Sequence, residues 1–340
     1  LEGILLSEKL TEVFDAYDLE VHQTMRGRGA TLLVADKGIY QLKSLDTNES
    51  RLKAEYIFKE KLIEHKFENI DRCVKNSEDE LITYDRYNNP YVLRTFYMWK
   101  ECNATKIEDI YAAVDNLARF HLAGRDIFSS TESDVHIRAN GDFRKRNREL
   151  KRVRNFIGKQ KIRREFESTY IKAYDYFYKR ALECEEQFTP YFSMDMSKHL
   201  GYCHGTYNHH SVLLRKDEAG NTQAATIGFD KFFVGNQLMD LYHFARKILE
   251  KNKYSPQLMR NIFERYRCIC PLDERDIEYI YILYSYPEKF YKISNQYINS
   301  PKNWISPKMM EKLERVINDE EDKKSLLQEL NLYKYELKSI

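Results

Sequence analysis

Up to about residue 100 the apolar positions alternate over short stretches, and beyond it they recur every third or fourth residue. The first period belongs to strands and the second to helices. Leu10, Val13 and Phe14 predict a short helix over 8–18. Glu20–Met25, Thr31–Ala35 and Ile39–Lys43 predict three strands, joined by turns at Arg26-Gly27-Arg28-Gly29 and Lys37-Gly38. Together they make a small antiparallel meander. Asn48 can cap a helix running to about His65. Asp79–Asp85 and Pro90–Trp99 predict two more strands, so 18–99 reads as strands plus one helix. Ile107–Gly124 then predicts an amphipathic helix with Ile110, Ala113, Val114, Leu117 and Phe120 on one side. One or two long helices are expected over 142–187, where Tyr170, Tyr174, Tyr176 and Tyr178 are expected half-buried with wet hydroxyls. Short strands are expected at Tyr202–His204, Val212–Leu214 and Ala224–Phe229, and helices from Met239, Pro256, Glu274 and Ser306 onward.

Composition narrows the class. At 340 residues, 42% hydrophobic and 14% aromatic, the chain can bury a core, which excludes disorder. Basic and acidic residues number 55 and 53, so no global field points to nucleic acid or membrane, and a charged partner needs a local patch. Six cysteines are too few for a disulfide scaffold and fit a reducing compartment. No apolar run reaches the ~18–20 residues of a membrane span. The first nine residues lack a basic start and a sustained apolar stretch, so a signal peptide is not expected and synthesis is expected inside the cell.

The densest chemistry lies in His204-Gly205-Thr206-Tyr207-Asn208-His209-His210-Ser211, followed by Ile227-Gly228-Phe229-Asp230 and then Asp240-Leu241. This resembles the catalytic loop of aminoglycoside-phosphotransferase-like kinases, with its pattern H-G-D-x-x-x-x-N, then I-D, then D-L. In that pattern the loop Asp takes the substrate hydroxyl proton, and the Asn and the I-D Asp hold magnesium. Within that superfamily the chain resembles the CotS-type spore coat proteins. Tyr40-Gln41-Leu42-Lys43, Tyr91-Val92-Leu93, Leu117-Ala118-Arg119-Phe120-His121 and Tyr202-Cys203-His204-Gly205 carry the resemblance. So do Tyr286-Pro287-Glu288-Lys289-Phe290-Tyr291-Lys292-Ile293 and Asn295-Gln296-Tyr297-Ile298-Asn299-Ser300. The resemblance implies an α+β, two-lobed, protein-kinase-like fold, with a β-rich N-lobe over 1–97 and a helical C-lobe over 98–340. The degenerate loop would occupy 202–214 and 224–241. It also implies a role in coat assembly during sporulation, with other coat proteins as partners and a path from the mother-cell cytoplasm to the spore coat.

The chain departs from the kinase pattern where the chemistry would occur. Thr206 stands at the base position, and a hydroxyl has no suitable pKa for that work. Ser211 and Gly228 stand at the two metal positions. Phosphoryl transfer depends on positioning and charge neutralisation, so a pseudokinase is expected. The alternative is an ATP- and magnesium-dependent phosphotransferase acting on a small-molecule or sugar hydroxyl. Asp230, two residues after Gly228 in a strand-like segment, would point the same way and is the one candidate replacement ligand. Otherwise no metal site is expected, and ATP and magnesium are expected to bind weakly. His204 and Asp240 are expected to be architectural, Asp240 by capping a helix or bracing the loop.

Lys43 matches the lysine that pairs with nucleotide phosphates, or is an ordinary strand-end lysine. Taking Leu52, Tyr56 and Ile63 as the inward helix face, Glu55 is the expected partner of Lys43, with Glu60 and Glu49 as rivals. Arg26, Gly27 and Gly29 stand where a phosphate-covering loop would be, although such glycines also make plain hairpins. Adjacent His209 and His210 seldom converge on one metal ion, and Cys268-Ile269-Cys270 is not a paired zinc motif. Residues 143–164 are densely basic. They form a solvated helix or a surface for an acidic partner, with protein favoured over nucleic acid for want of interleaved aromatics.

Overall fold

The computed structural model of the chain describes residues 10–128, 143–192, 197–300 and 305–338. It divides into two compact units. One contains everything described up to residue 128 together with Gly201–Phe233, and the other contains the described residues from 143 to Leu200 together with those from Val234 onward. The units therefore do not follow a single cut at residue 97.

In the first unit a short helix α1 (10–15) precedes strands β1 (Val21–Gly27), β2 (Ala30–Ala35) and β3 (Gly38–Ser44). Then come α2 (Glu49–Glu64), β4 (Cys73–Val74), β5 (Thr83–Tyr84), β6 (Pro90–Thr95), β7 (Lys100–Glu101) and α3 (Ile107–Ile127). The sheet runs β1-β2-β3-β6-β4, with β5 also on β6, and every described pairing is antiparallel. Alternation decides what each face holds. Leu33, Ala35, Tyr40, Leu42 and Leu93 pack against Leu10, Val13 and Tyr17. On β3 and β6 the register sets Gln41 opposite Arg94 and Lys43 opposite Val92. Val92 packs with Leu52 of α2, Cys73 and Leu81. The predicted strand over Asp79–Asp85 shrinks to Thr83–Tyr84, because Asn76 Oδ1 accepts the backbone N–H groups of Glu78 and Glu80 and holds a turn there.

Asn48 caps α2 as expected, its side chain accepting from the Arg51 N–H. The inward face of α2 is Leu52, Glu55, Phe58, Lys59 and Leu62, whereas Tyr56 and Ile63 lie half-buried at its margins. β8 (Leu200–Cys203) leads to a loop, and the hairpin β9 (Val212–Lys216) and β10 (Thr222–Thr226) follows. β7 adds to β9. Phe58 is the anchor between α2 and this second segment: its ring stacks on Tyr202 at 4.2 Å and on Phe232 at 5.3 Å, and meets Phe120 and Phe229 edge-on.

The second unit contains α4 (Phe143–Gly158), α5 (Glu165–Phe192), β11 (Phe233–Asn236, from Val234), α6 (Leu238–Lys251), α7 (Pro256–Arg267), α8 (Glu274–Ser285), α9 (Glu288–Asn299), α10 (Pro307–Asn318) and α11 (Glu320–Lys338). Tyr170 and Tyr174 are buried rather than half-exposed: Tyr170 stacks on Phe290 at 4.8 Å and shares a hydrogen bond with Ser294 Oγ. Cys268 ends α7 and is exposed, and Cys270 is buried. Among the described residues no helix is long and apolar enough to cross a membrane.

Phe58 is 1% exposed and sits among four rings. Phe58→Ala is expected to cost about 3–5 kcal/mol, read as a lower urea midpoint at unchanged slope.

Candidate functional site

The loop after β8 is closed by backbone geometry that the side chains then secure. Gly205 has φ +82°, and a Cβ there would lie 2.1 Å from the carbonyl oxygen of Lys231, so only glycine fits. His204 is fully buried. Its Nδ1 accepts the Thr206 N–H at 3.3 Å, which makes Nε2 the protonated nitrogen, donating to the Ile227 carbonyl at 3.1 Å. The imidazole thus ties the loop to the segment that follows β10. Tyr207 donates to the Ala113 carbonyl at 2.8 Å, and Asn116 of α3 donates to Tyr207 Oη and Thr226 Oγ1. Thr206 is exposed. The Ser211 hydroxyl is occupied within its own turn, accepting from the Asn208 N–H and donating to the Asn208 carbonyl.

Beside this loop lies a buried ionic network. Glu55 receives Lys59 Nζ at 2.6 Å and both Nε and Nη2 of Arg94 at 3.2 and 3.1 Å. Lys59 also pairs with Asp71 at 3.1 Å, and Asp71 Oδ2 accepts the Gly228 N–H at 3.1 Å. Arg94 Nη2 reaches Asp230 at 3.2 Å, and the other oxygen of Asp230 accepts from Lys43 Nζ at 2.8 Å. Carboxylates Glu55, Asp71 and Asp230 thus balance cations Lys43, Lys59 and Arg94. Burial alone would raise the Asp230 carboxyl, but Arg94 and then Lys43 outweigh it and hold it below the ordinary range. Glu55 is likewise held low, by Lys59 and Arg94 against its own burial. Burial pushes Asp71 up, and the same two cations oppose that without overcoming it.

The expected Lys43–Glu55 pair does not form. Glu55 is buried, as its place on the helix implied, but its partners are Lys59 and Arg94, and Lys43 goes to Asp230. The rivals lie elsewhere, Glu60 on Arg72 and Glu49 on Lys53. The strand expected through Phe229 ends at Thr226, and Phe229–Lys231 is a 3₁₀ turn entered through Gly228 at φ +82°. Gly228 and Asp230 are therefore not successive residues on one strand face. The candidate metal ligand Asp230 is already neutralised by two cations. Arg26, Gly27 and Gly29 belong to the β1–β2 hairpin, in which Gly27 pairs with Ala30 across a turn at Arg28-Gly29. Arg28 reaches Glu101, which also holds His210 Nδ1 at 2.7 Å. In the other unit, Asp240 lies buried in the first turn of α6, where a negative charge suits the helix N-terminus, and Gln237 occupies the capping position.

Sequence reasoning missed Lys59, Arg94, Asp71 and Arg51. Arg51 donates to the carbonyls of Asp230 and Phe232 at 3.2 and 2.5 Å and lies over the Phe232 ring. The Glu55–Lys59 spacing of four residues was the available signal. Arg94, directly after Val92-Leu93 in an apolar strand, was the other.

A family model described as "Spore coat putative kinase YutH" matches residues 10–330. No curated protein matches the chain. Among solved structures, the aminoglycoside phosphotransferase of Alicyclobacillus acidocaldarius superposes with a TM-score of 0.80 over 95% of each chain at 17% identity. An AMP-bound spectinomycin phosphotransferase superposes with a TM-score of 0.65 at 14% identity, over 93% of this chain and 97% of that one. Choline kinase LicA of Streptococcus pneumoniae gives 0.51 at 12% identity, over 94% and 98%. These likenesses establish the α+β kinase-like fold that the sequence predicted.

Removing one member of a buried, paired network strands its partners. Arg94→Leu is expected to cost about 3–5 kcal/mol at neutral pH by urea unfolding. Glu55 and Asp230 have lowered folded pKa values, so the stability they contribute is full above their unfolded values near 4 and is lost as pH falls through the folded ones. The gap between wild type and Arg94→Leu should therefore narrow as pH drops below about 4.

Proposed function

The chain belongs to the spore coat YutH family, and we propose that it serves in coat assembly during sporulation as a structural protein whose kinase-type fold does not transfer phosphate. It would be made in the mother cell, be incorporated into the coat and work through contacts with other coat proteins. One observation carries the proposal: Lys43 and Arg94 grip the two oxygens of Asp230 at 2.8 and 3.2 Å. A kinase-type site needs a lysine able to meet phosphate and a carboxylate able to meet magnesium. Here the two are spent on each other.

The substituted positions reinforce it. Thr206 supplies no base, the Ser211 hydroxyl closes its own turn, and Gly228 offers a backbone N–H to Asp71 in place of a carboxylate. Magnesium would have to displace two cations from Asp230, and a phosphate would have to break the Lys43–Asp230 pair. Each exchange gives up a charge-assisted contact in a partly desolvated place, where the side chains of Lys43 and Asp230 are 28% and 30% exposed.

Labelled ATP incubated with aminoglycosides, sugars and coat proteins should give no transfer above background. Calorimetric titration should find ATP binding weak and insensitive to chelator. Lys43→Ala should weaken it further by about 1–3 kcal/mol. Asp230→Asn releases Lys43, so it should strengthen ATP binding by about tenfold, still without magnesium dependence. Magnesium-dependent turnover abolished by Asp230→Ala would overturn the proposal in favour of a small-molecule phosphotransferase.

A further inference from the structure

Helix α4 has two unlike faces. Phe143, Asn147, Leu150, Val153 and Ile157 are buried, and Lys145, Arg148, Lys151 and Arg152 stand exposed on the opposite side. At ~100° and ~1.5 Å per residue these four cations occupy one arc of about 120° along about 10 Å of helix. Arg146 leaves the stripe to pair with Glu288 at 2.6 Å. Next to the stripe, a groove of about 210 Å³ separates α4 from α9, lined among others by Glu149, Arg152, Tyr291, Asn295, Ile298 and Asn299. Its α9 wall includes residues of the two late segments that first suggested the coat family, and the kinase-type site does not use them.

The chemistry of that wall is specific. Asn299 Nδ2 donates to the carbonyl oxygen and to Oδ1 of Asn295 at 2.9 and 3.1 Å. That leaves Asn299 Oδ1 as an acceptor and Asn295 Nδ2 as a donor, neither hydrogen-bonded among the described residues. A side-chain amide edge of this kind matches the donor and acceptor of a peptide backbone. Glu149, fixed by the Tyr291 hydroxyl at 2.6 Å, places a negative charge on the groove wall, so the ligand's acidic groups belong on the basic stripe beside the groove and only its uncharged backbone lies within it. Phe156, the nearest ring of α4, is half-buried against Tyr297 and offers no stacking platform for bases.

We propose that the α4–α9 groove binds an extended acidic polypeptide. Its carboxylates would meet Arg148, Lys151 and Arg152, and its backbone the amides of Asn295 and Asn299. Alternate side chains of an extended chain fall on one side about 6.6 Å apart. That is close to the spacing of helix residues three and four apart, so the fitting sequence carries an acid at every second position. The proposal deepens the assembly reading by naming a partner chemistry. Its readout is peptide binding to the second unit, so it can fail while the phosphotransfer result stands, and the reverse.

The test is fluorescence anisotropy of a labelled peptide of alternating Glu and Ser titrated with the full chain, with heparin and an oligo-dT strand as comparison polyanions. The peptide should bind, more weakly as salt rises. The exposed triple variant Arg148→Glu/Lys151→Glu/Arg152→Glu should lose at least ~10-fold in affinity with an unchanged thermal midpoint. Asn295→Ala/Asn299→Ala should lose about 3- to 10-fold for the peptide and nothing for heparin, which has no peptide backbone. Absence of peptide binding at low salt, undiminished affinity in either variant, or tighter binding of oligo-dT than of peptide would each overturn the proposal.

Discussion

Glu55, Lys59, Asp71 and Arg94 are taken out of water together, and that shared desolvation constrains the whole first unit. Each charge alone would cost several kcal/mol to bury, so none tolerates the loss of its neighbours. The network draws on α2, on the segment that follows it, on β6 and, through Asp230, on the turn after β10. Apolar contacts hold the same parts together without specifying an arrangement, as Phe58 does among its four rings. The ion pairs add direction: Arg94 must face α2, and Asp230 must turn toward β3.

That direction has a functional consequence. A kinase-type fold keeps its phosphate lysine and its metal carboxylates within reach of ligand. In this chain Lys43 and Asp230 meet each other at 2.8 Å. The loop after β8 is held by Gly205, pressed against the Lys231 carbonyl, and by His204, which bridges Thr206 to Ile227. On the proposed reading, the protein works by shape and surface. The basic helix α4 and its amide-lined groove, in the other unit, are the surface on which such a role would act.

Much of the fold was legible from periodicity. The meander, the Asn48-capped helix, the Ile107 helix and the late helices all follow from spacing and caps. Asp79–Asp85 misled because Asn76 competes locally for backbone N–H groups two and four residues away. The segment after Thr226 misled because Gly228 takes a left-handed conformation that no apolar pattern reports. At the site, the motif picked out Lys43 and Asp230 and the helix face picked out Glu55, but Lys43 was assigned to Glu55 whereas it meets Asp230. Charges that stabilise one another across 39 and 187 residues, as Glu55 with Arg94 and Lys43 with Asp230 do, leave no local mark.

By itself the sequence determined most of the elements and which family carries the pattern. These are matters of residue type and short-range spacing. Only the tertiary structure decided that Lys59 and Arg94 are interior, that Glu55 belongs to them, and that Lys43 meets Asp230. The reason is physical: a lysine or arginine is buried only where opposite charges surround it, and those charges come from strands, helices and turns far apart in the chain.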